Sequence, residues 1–217
     1  MTDFAKLRDD MVRVQIEVRG ITDARVLTAM RLVPREAFVD EGHKLEAYED
    51  RPVTIAQGQT MSQPYIVALM AQAAQIRPQD HVLEIGTGSG YGAAILGELA
   101  DHVCSIERHG ELATRAAEIL KQLGYEHVHV GQGDGSLGWP PSAPFNAIIV
   151  TASGPAVPEP LKHQLSIGGR LVIPVGPQEG PQRLLRITRT GDHFWHEEEL
   201  LQVLFVPLIG QHGFGLK

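Results

Sequence analysis

A glycine-rich segment in the middle of the chain has the composition of a ligand-binding turn. It runs Glu84-Ile85-Gly86-Thr87-Gly88-Ser89-Gly90 and follows a short apolar run that begins at His81. Glycines at a strand-to-helix junction let the backbone approach a ligand closely, and the helix N-terminus offers free N–H donors. The spacing is Gly-x-Gly-x-Gly, whereas dinucleotide-binding proteins have Gly-x-Gly-x-x-Gly. The segment alone fits either a cofactor loop or a tight turn.

Two acidic residues follow the next two predicted strands. Glu107, which precedes Arg108, ends the second strand, where a carboxylate can accept hydrogen bonds from the ribose hydroxyls of an adenosine-containing cofactor. Asp134, between two glycines after the third strand, is placed to accept the exocyclic amine of adenine. The alternatives are a solvated acid at Glu107 and a turn aspartate that bonds its own backbone at Asp134. Both acids share one sheet edge with the glycine loop, which favours a common ligand.

Ser62 has two possible roles. It stands before Gln63-Pro64 and an apolar helical stripe, so it suits the N-cap position of a helix. The functional alternative places its hydroxyl near the reacting groups. Taken alone, the residues favour the cap.

Other common catalytic arrangements are missing from the sequence. His127 and His129 share one face of a predicted strand, but no further ligand cluster adjoins them. Cys104 is the only cysteine, and no Cys-x-x-Cys, His-x-x-x-His or Gly-x-Ser-x-Gly pattern occurs. We therefore expect no metal site and no serine hydrolase activity.

Length and charge narrow the possible partners. The chain has 217 residues, 43% of them hydrophobic, and a formal net charge of −7 with no basic block. Nucleic acid is therefore an unfavourable partner, because its binding depends on neutralising phosphates. No apolar run reaches the roughly 18–20 residues that span a bilayer, and no signal peptide is visible. We expect a cytoplasmic monomer with no membrane partner.

The elements that must position these residues fall into two groups. The first third reads as helical: one helix ends at Gly20, a second is capped by Thr22-Asp23 and ends at Pro34, and a third begins around Ser62-Gln63-Pro64. The segment from Asp50 to Gln59 reads as an extended loop. The first helix carries one predicted apolar stripe: Phe4, Leu7, Met11, Val14 and Val18.

From His81 onward, predicted strands alternate with helices. This alternation implies a doubly wound, mostly parallel Rossmann-like sheet. Two further strands without a helix between them predict an antiparallel pair at the sheet edge. We predict an N-terminal helical extension over 1–60 that packs on a ligand-binding domain over 61–217. The predicted strands are 81–86, 103–107, 128–130, 145–150, 170–175, 184–189 and 200–206, and the predicted helices are 91–99, 112–123 and 160–165.

With these motifs in view, the sequence resembles the protein-L-isoaspartate O-methyltransferases from about Met11 to Gly210. The most specific stretch is Gly58-Gln59-Thr60-Met61-Ser62-Gln63-Pro64, which is not shared by methyltransferases at large. Shorter matches occur at Val33-Pro34-Arg35, Ala47-Tyr48-Glu49-Asp50, Val82 to Leu96, Gly133-Asp134-Gly135, Leu165 to Gly176 and Phe205-Val206-Pro207-Leu208.

The resemblance implies an activity, a cofactor and a set of site residues. It implies S-adenosyl-L-methionine as the cofactor, L-isoaspartyl residues of damaged proteins and peptides as substrates, and a seven-stranded sheet with N-terminal helices beside the cofactor. Ser62 becomes the residue that the family associates with its active site. The implied cofactor ligands are Glu84, Gly86, Thr87, Gly88, Ser89, Gly90, Glu107, Arg108, Asp134 and Gly135.

Three positions depart from the family pattern. Asn146 replaces a common aspartate, the turn Thr151-Ala152-Ser153-Gly154-Pro155 is less compact, and Leu204 replaces an arginine. The Ser153–Pro155 loop and Leu204 are expected near the substrate, so they bear on substrate preference. Three rival functions also stay open: a methyltransferase for another acceptor, a nicotinamide oxidoreductase, and a non-catalytic cofactor-binding module.

Overall fold

The first helix changes its winding part-way along. The computed structural model describes residues 2–215, and α1 runs from Phe4 to Met11. A π-helical turn, Val12–Ile16, and a 3₁₀ turn, Glu17–Arg19, continue it. The π turn shifts the buried face, because its hydrogen bonds span five residues instead of four.

This shift makes part of the predicted apolar stripe wrong. Met11, Val12 and Ile16 are buried, whereas Val14 is 51% exposed and Val18 is 71% exposed. The sequence pattern assumed a uniform period of 3.6 residues, which holds only as far as Met11.

The next two helices differ in how well the sequence predicted their starts. Helix α2, Ala24–Leu32, is capped by the Asp23 carboxylate as predicted. Helix α3, Pro64–Ala74, has Pro64 in its first turn, but its N-cap is Gln63, and no side chain makes a capping bond. The N-cap interpretation of Ser62 is therefore wrong.

A short hairpin interrupts the predicted loop before α3. It pairs the two-residue strands Val53–Thr54 and Thr60–Met61. The sequence missed it because two-residue strands leave no periodicity to detect. Short 3₁₀ turns also occur at Arg35–Phe38, Glu41–His43, Glu46–Tyr48, Ala56–Gly58, Gly135–Leu137 and Pro140–Ser142.

The main sheet has seven strands in the order β3-β2-β1-β4-β5-β6-β7. The first five are parallel, and β6 and β7 are antiparallel additions at one edge, which confirms the predicted architecture. Helices α4, α5 and α6 run over Tyr91–Leu99, Gly110–Gln122 and Glu159–His163. The strands are β1 His81–Ile85, β2 His102–Glu107, β3 Val128–Gln132, β4 Phe145–Val150, β5 Leu165–Val175, β6 Gln182–Gly191 and β7 Phe194–Val203.

The prediction was wrong about the bounds of the last strand. It begins at Phe194 and ends at Val203, not over 200–206. As the sheet edge, β7 carries exposed acids that pair with arginines of β6, for example Glu198 with Arg186. An edge strand of this kind has no continuous apolar signal.

Alternating residues of the central strands divide the core between the two faces of the sheet. Ala147 and Ile149 of β4 face the layer that contains the N-terminal helices, α3 and α4, whereas Ile148 and Val150 face the layer that contains α6. The N-terminal helices thus share a hydrophobic core with the sheet, although the boundary at residue 60 stays a prediction. Within residues 2–215, no helix is both long and apolar enough to cross a membrane.

Replacing Ile16 by Ala should lower the free energy of unfolding by about 2–4 kcal/mol, because it deletes buried methyl groups. Val18→Ala should change it by no more than about 0.5 kcal/mol, because that side chain is in solvent. Urea denaturation of both variants measures the difference. Equal losses would mean that the face assigned to the π turn is incorrect.

Candidate active site

The glycine loop between β1 and α4 adopts a backbone that requires glycine. Gly86, Gly88 and Gly90 all have positive φ, at 93°, 54° and 94°. A Cβ on Gly86 would lie 2.3 Å from Oγ1 of Thr151. The Thr151 hydroxyl donates to the Gly86 carbonyl over 2.7 Å, which ties the loop to the end of β4. The loop is therefore held open at the carboxyl edge of the sheet.

Glu107 joins this loop to the end of β2. Its carboxylate accepts the N–H of Gly88 through Oε2 and the N–H of His109 through Oε1, each over 2.9 Å. The residue is 5% exposed, so the interpretation as a solvated acid is wrong. Glu107 instead presents a fixed, buried negative charge beside the glycine loop.

A cavity at this edge contains part of the predicted cofactor set. The predicted ligands that line this cavity are Gly86, Gly88, Glu107, Arg108 and Gly135. The lining residues that the sequence did not single out as ligands are Gln59, Thr60, Ile85, Ile106, His109, Thr151, Ala152, Val206, Pro207, Leu208 and Ile209. For Val206, Pro207 and Leu208 the only signal in the sequence was the Phe205-Val206-Pro207-Leu208 match, to which no role was assigned.

Glu84 and Thr87 lie behind the loop. The Glu84 carboxyl accepts the Ser105 hydroxyl over 2.6 Å, and the Ser105 and Thr87 hydroxyls are also 2.6 Å apart. Burial raises the pKa of Glu84 to about 8, and nearby Glu107 adds to the effect, whereas the Ser105 hydrogen bond opposes it. Glu84 is therefore mostly neutral at pH 7 and supports the loop from inside.

Two further predicted ligands, Ser89 and Gly90, lie outside the cavity. Ser89 lines a separate shallow depression with Phe38, and Gly90 packs against Ala116. Neither Ser89 nor Gly90 lines the cavity that contains Glu107.

Asp134 caps a 3₁₀ turn and also holds the C-terminal segment. It accepts the Ser136 N–H over 2.9 Å and the Gln211 N–H over 2.7 Å. Partial burial works against ionisation, but the Ser136 hydroxyl, which donates to Oδ1 over 2.6 Å, and these two N–H bonds together outweigh it and lower the pKa of Asp134. The interpretation as a turn aspartate is confirmed, and its role toward adenine stays a prediction. The docked segment brings Leu208 and Ile209 into the cavity wall.

Ser62 lines a second cavity that adjoins the first. Thr60, Thr151 and Val206 belong to the walls of both. The other lining residues include Arg19 and, as expected from the sequence, Leu204, which is 74% exposed. The remaining lining residues of this second cavity are Pro52, Gln63, Ile66, Pro181, Leu201, Gln202, Val203 and Phe205.

Of the other two departures, Asn146 lies outside both cavities, and so does the Ser153–Pro155 part of the turn, although Thr151 and Ala152 of the same turn line the first cavity. Ser153 is fully buried, and its hydroxyl has no partner within the described residues. Asn146 lies at the opposite end of the sheet, where its side chain accepts the His81 N–H over 2.8 Å.

A buried arginine fixes the backbone of Ser62. Arg35 is 0% exposed and donates to the carbonyls of Ala47 over 2.5 Å and Ser62 over 2.7 Å. Its guanidinium also lies 4.6 Å from the ring centre of Tyr91, the first residue of α4. Burial lowers the pKa of Arg35. The sequence quoted this residue in a matching motif but assigned it no role.

The described residues contain no group of three or more histidines, cysteines or acids that could hold a metal ion. His127 bonds the Gly97 carbonyl over 3.0 Å, and its neighbour His129 is exposed.

Comparison with known proteins identifies the family. The sequence profile of the protein-L-isoaspartate(D-aspartate) O-methyltransferases matches residues 6–213. The chain belongs to this family. It is 55% identical over 212 residues to protein-L-isoaspartate O-methyltransferase 2 of Marinobacter nauticus, covering 98% of this chain and 97% of that one. It is 57% identical over 204 residues to the Protochlamydia amoebophila enzyme of the same name, with 94% and 97% covered.

Solved structures agree with the fold. A protein-L-isoaspartate O-methyltransferase superposes with a TM-score of 0.85 at 28% identity, covering 95% of this chain and 67% of that one. A putative Plasmodium falciparum homologue, solved in complex with S-adenosyl-L-homocysteine, superposes with a TM-score of 0.81 at 24% identity, covering 96% and 99%.

Glu84→Gln should remove a pH dependence of stability. The Glu84 pKa is about 8 in the folded chain and about 4.3 in the unfolded chain, so the folded state binds the extra proton between these values. The contribution of protonated Glu84 to the free energy of unfolding is complete below about pH 4. It is lost as the pH rises to about 8, by up to about 1.4 kcal/mol per pH unit.

The measurement is the difference in unfolding free energy between wild type and Glu84→Gln from pH 5 to 8. That difference should fall steadily as the pH rises. The same substitution at the exposed Glu118 is the control, and a flat difference for Glu84→Gln would contradict the buried neutral acid.

Proposed function

We propose that this chain transfers a methyl group from S-adenosylmethionine to the free carboxylate of L-isoaspartyl residues in damaged proteins and peptides, and so begins their repair. The observation that carries the proposal is the pair of adjoining cavities. One contains the glycine loop and Glu107, the other contains Ser62, and they share Thr60 and Thr151. A methyl donor and a methyl acceptor need such neighbouring sites.

The first cavity carries groups that suit an adenosyl cofactor chemically. Glu107 offers a buried carboxylate for ribose hydroxyls, and Ile106 and Ala152 supply apolar walls. Gly135 leaves no room for a side chain, since a Cβ would lie 2.3 Å from Ile85. We therefore assign Gly86, Gly88, Glu107, Arg108 and Gly135 to the direct cofactor site. Glu84 and Thr87 support it, and Asp134 borders it through Gly135.

The reaction places few demands on acid–base chemistry. A carboxylate has a reference pKa near 4, so the acceptor is already an anionic nucleophile at neutral pH. S-adenosylmethionine, when bound, supplies an electrophilic methyl group with a neutral leaving group. The protein must mainly align the two reactants, and such positioning can contribute on the order of 7–11 kcal/mol.

Ser62 and Glu84 serve this alignment in different ways. Ser62 makes no capping bond, so its hydroxyl is available to donate to the acceptor carboxylate. Both residues also line one small inner cavity. A neutral Glu84 adds no negative charge there, which favours an anionic substrate beside Ser62.

Other partners follow from the charge and the architecture. We propose a monomer that acts in the cytoplasm on isoaspartyl proteins and peptides, without nucleic-acid or membrane partners. A methyltransferase for a different acceptor is the rival that keeps the same cofactor cavity.

Two substitutions should separate the sites. Ser62→Ala should lower kcat for an isoaspartyl peptide with little change in cofactor Kd, because only the acceptor loses a contact. Glu107→Ala should raise cofactor Kd, because the ribose loses its acceptor and the loop loses a fixed partner. Calorimetry and steady-state kinetics measure both. Normal turnover of a folded Ser62→Ala chain would exclude the assigned role of Ser62.

The substrate class is tested with labelled methyl donor and two matched peptides, one with L-isoaspartate and one with L-aspartate. Base-labile label should appear only on the isoaspartyl peptide, because a carboxyl methyl ester hydrolyses in base. Label on neither peptide, with cofactor binding confirmed separately, would favour another acceptor or a binding role.

A further inference from the structure

One charged side chain stands out in the wall of the second cavity. Of the described residues that line it, Arg19 alone carries a charge, and most of the others are apolar, among them Pro181 and Leu201. Arg19 is the last residue of the 3₁₀ turn that follows the π turn of the first helix. The mechanism above does not use it.

The guanidinium of Arg19 is held in place on two sides. It lies 3.6 Å from the ring centre of Tyr65, and its Nη1 donates to the Asp50 carboxylate over 3.0 Å. Asp50 is itself fixed by the Gln63 amide, which donates to Oδ1 over 2.8 Å. The side chain therefore loses little further entropy when it binds a ligand.

The rest of the guanidinium is free to bind. Within residues 2–215, all the hydrogen bonds of the Arg19 side chain run from Nη1 to Asp50, which leaves Nε and Nη2 as donors. The side chain is 41% exposed. An arginine with two adjacent donors matches the two oxygens of a carboxylate.

We propose that Arg19 is a specificity-determining residue that binds the side-chain carboxylate of an acidic residue flanking the isoaspartyl residue. This inference rests on the proposed function. A chain with a net charge of −7 repels acidic peptides overall, so such substrates require a local partner, and the Nε and Nη2 donors that Asp50 leaves unused on Arg19 supply one. Lysine would supply the charge but not the paired donors.

The flank contact must be distinguished from a contact with the methyl-accepting carboxylate itself. Arg19 and Ser62 line the same cavity, so the Arg19 guanidinium could bind either the flanking carboxylate or the methyl-accepting carboxylate. A contact with the acceptor would affect every isoaspartyl peptide equally. A flank contact affects only peptides that carry the acidic side chain.

The experiment uses isoaspartyl peptides that differ only by Glu or Gln at the residue before or after the isoaspartate. The measured quantity is the ratio of kcat/KM for the Glu peptide to that for the Gln peptide, for each flank. We expect a ratio of about 3–10 on one flank for the wild type, carried by KM, as for a partly exposed ion pair. Arg19→Gln should reduce that ratio to 1 or below, and Arg19→Lys should give an intermediate value.

The control variant is Arg13→Gln, which makes the same change in net charge. Arg13 pairs with Asp10 on the exposed side of the first helix and lines neither cavity. Its ratio should equal that of the wild type. Because the ratio is taken within each variant, a general loss of stability cancels.

Two results would overturn this inference and leave the proposed function standing. The first is a wild-type enzyme that methylates the peptides without preferring Glu on either flank. The second is an Arg19→Gln variant that retains the wild-type ratio. A wild type that methylates no isoaspartyl peptide would remove the proposed function and this inference with it.

Discussion

The close approach of Thr151 to Gly86 is the contact on which the site depends. The hydroxyl occupies the space that a side chain at residue 86 would need, and it donates to the Gly86 carbonyl. The same threonine lines both cavities. One contact between the end of β4 and the loop after β1 therefore holds the backbone of the glycine loop and forms part of the wall between the two cavities.

The interior contains two ionisable side chains, Arg35 and Glu84, whose surroundings determine whether they are charged. Arg35 keeps its cation by donating to two carbonyls and packing over an aromatic ring, so it links the Ser62 backbone to the start of α4. Glu84 avoids ionisation instead, because it is buried beside Glu107. The interior therefore combines a buried cation that orders the backbone with a buried acid whose surroundings favour its neutral form.

The sequence predicted the central sheet well because its strands are buried on both faces. The predicted bounds of β4 and α4 match the structure, and Asp23 caps α2 as expected. The errors occur where tertiary packing overrides local pattern. The π turn, the charged edge strand β7 and the cap at Gln63 in place of Ser62 all give misleading or absent local signals.

The candidate site was predicted less evenly than the fold. Residue type and position at the sheet edge were enough to place Gly86, Gly88 and Glu107 together, and in the structure they line one cavity. They could not show that Glu84 turns inward or that Arg19 reaches the second cavity from the N-terminal helix. Such contacts join distant parts of the chain, so no local spacing encodes them.

The shared wall of the two cavities has a thermodynamic consequence. Thr60, Thr151 and Val206 contribute to both, so a ligand that shifts this wall in one cavity changes the shape of the other. Linkage then requires reciprocity: whatever factor the bound peptide applies to cofactor affinity, the bound cofactor applies to peptide affinity. If the wall shifts in this way, donor and acceptor are coupled ligands, and a single coupling factor raises or lowers the affinity of both.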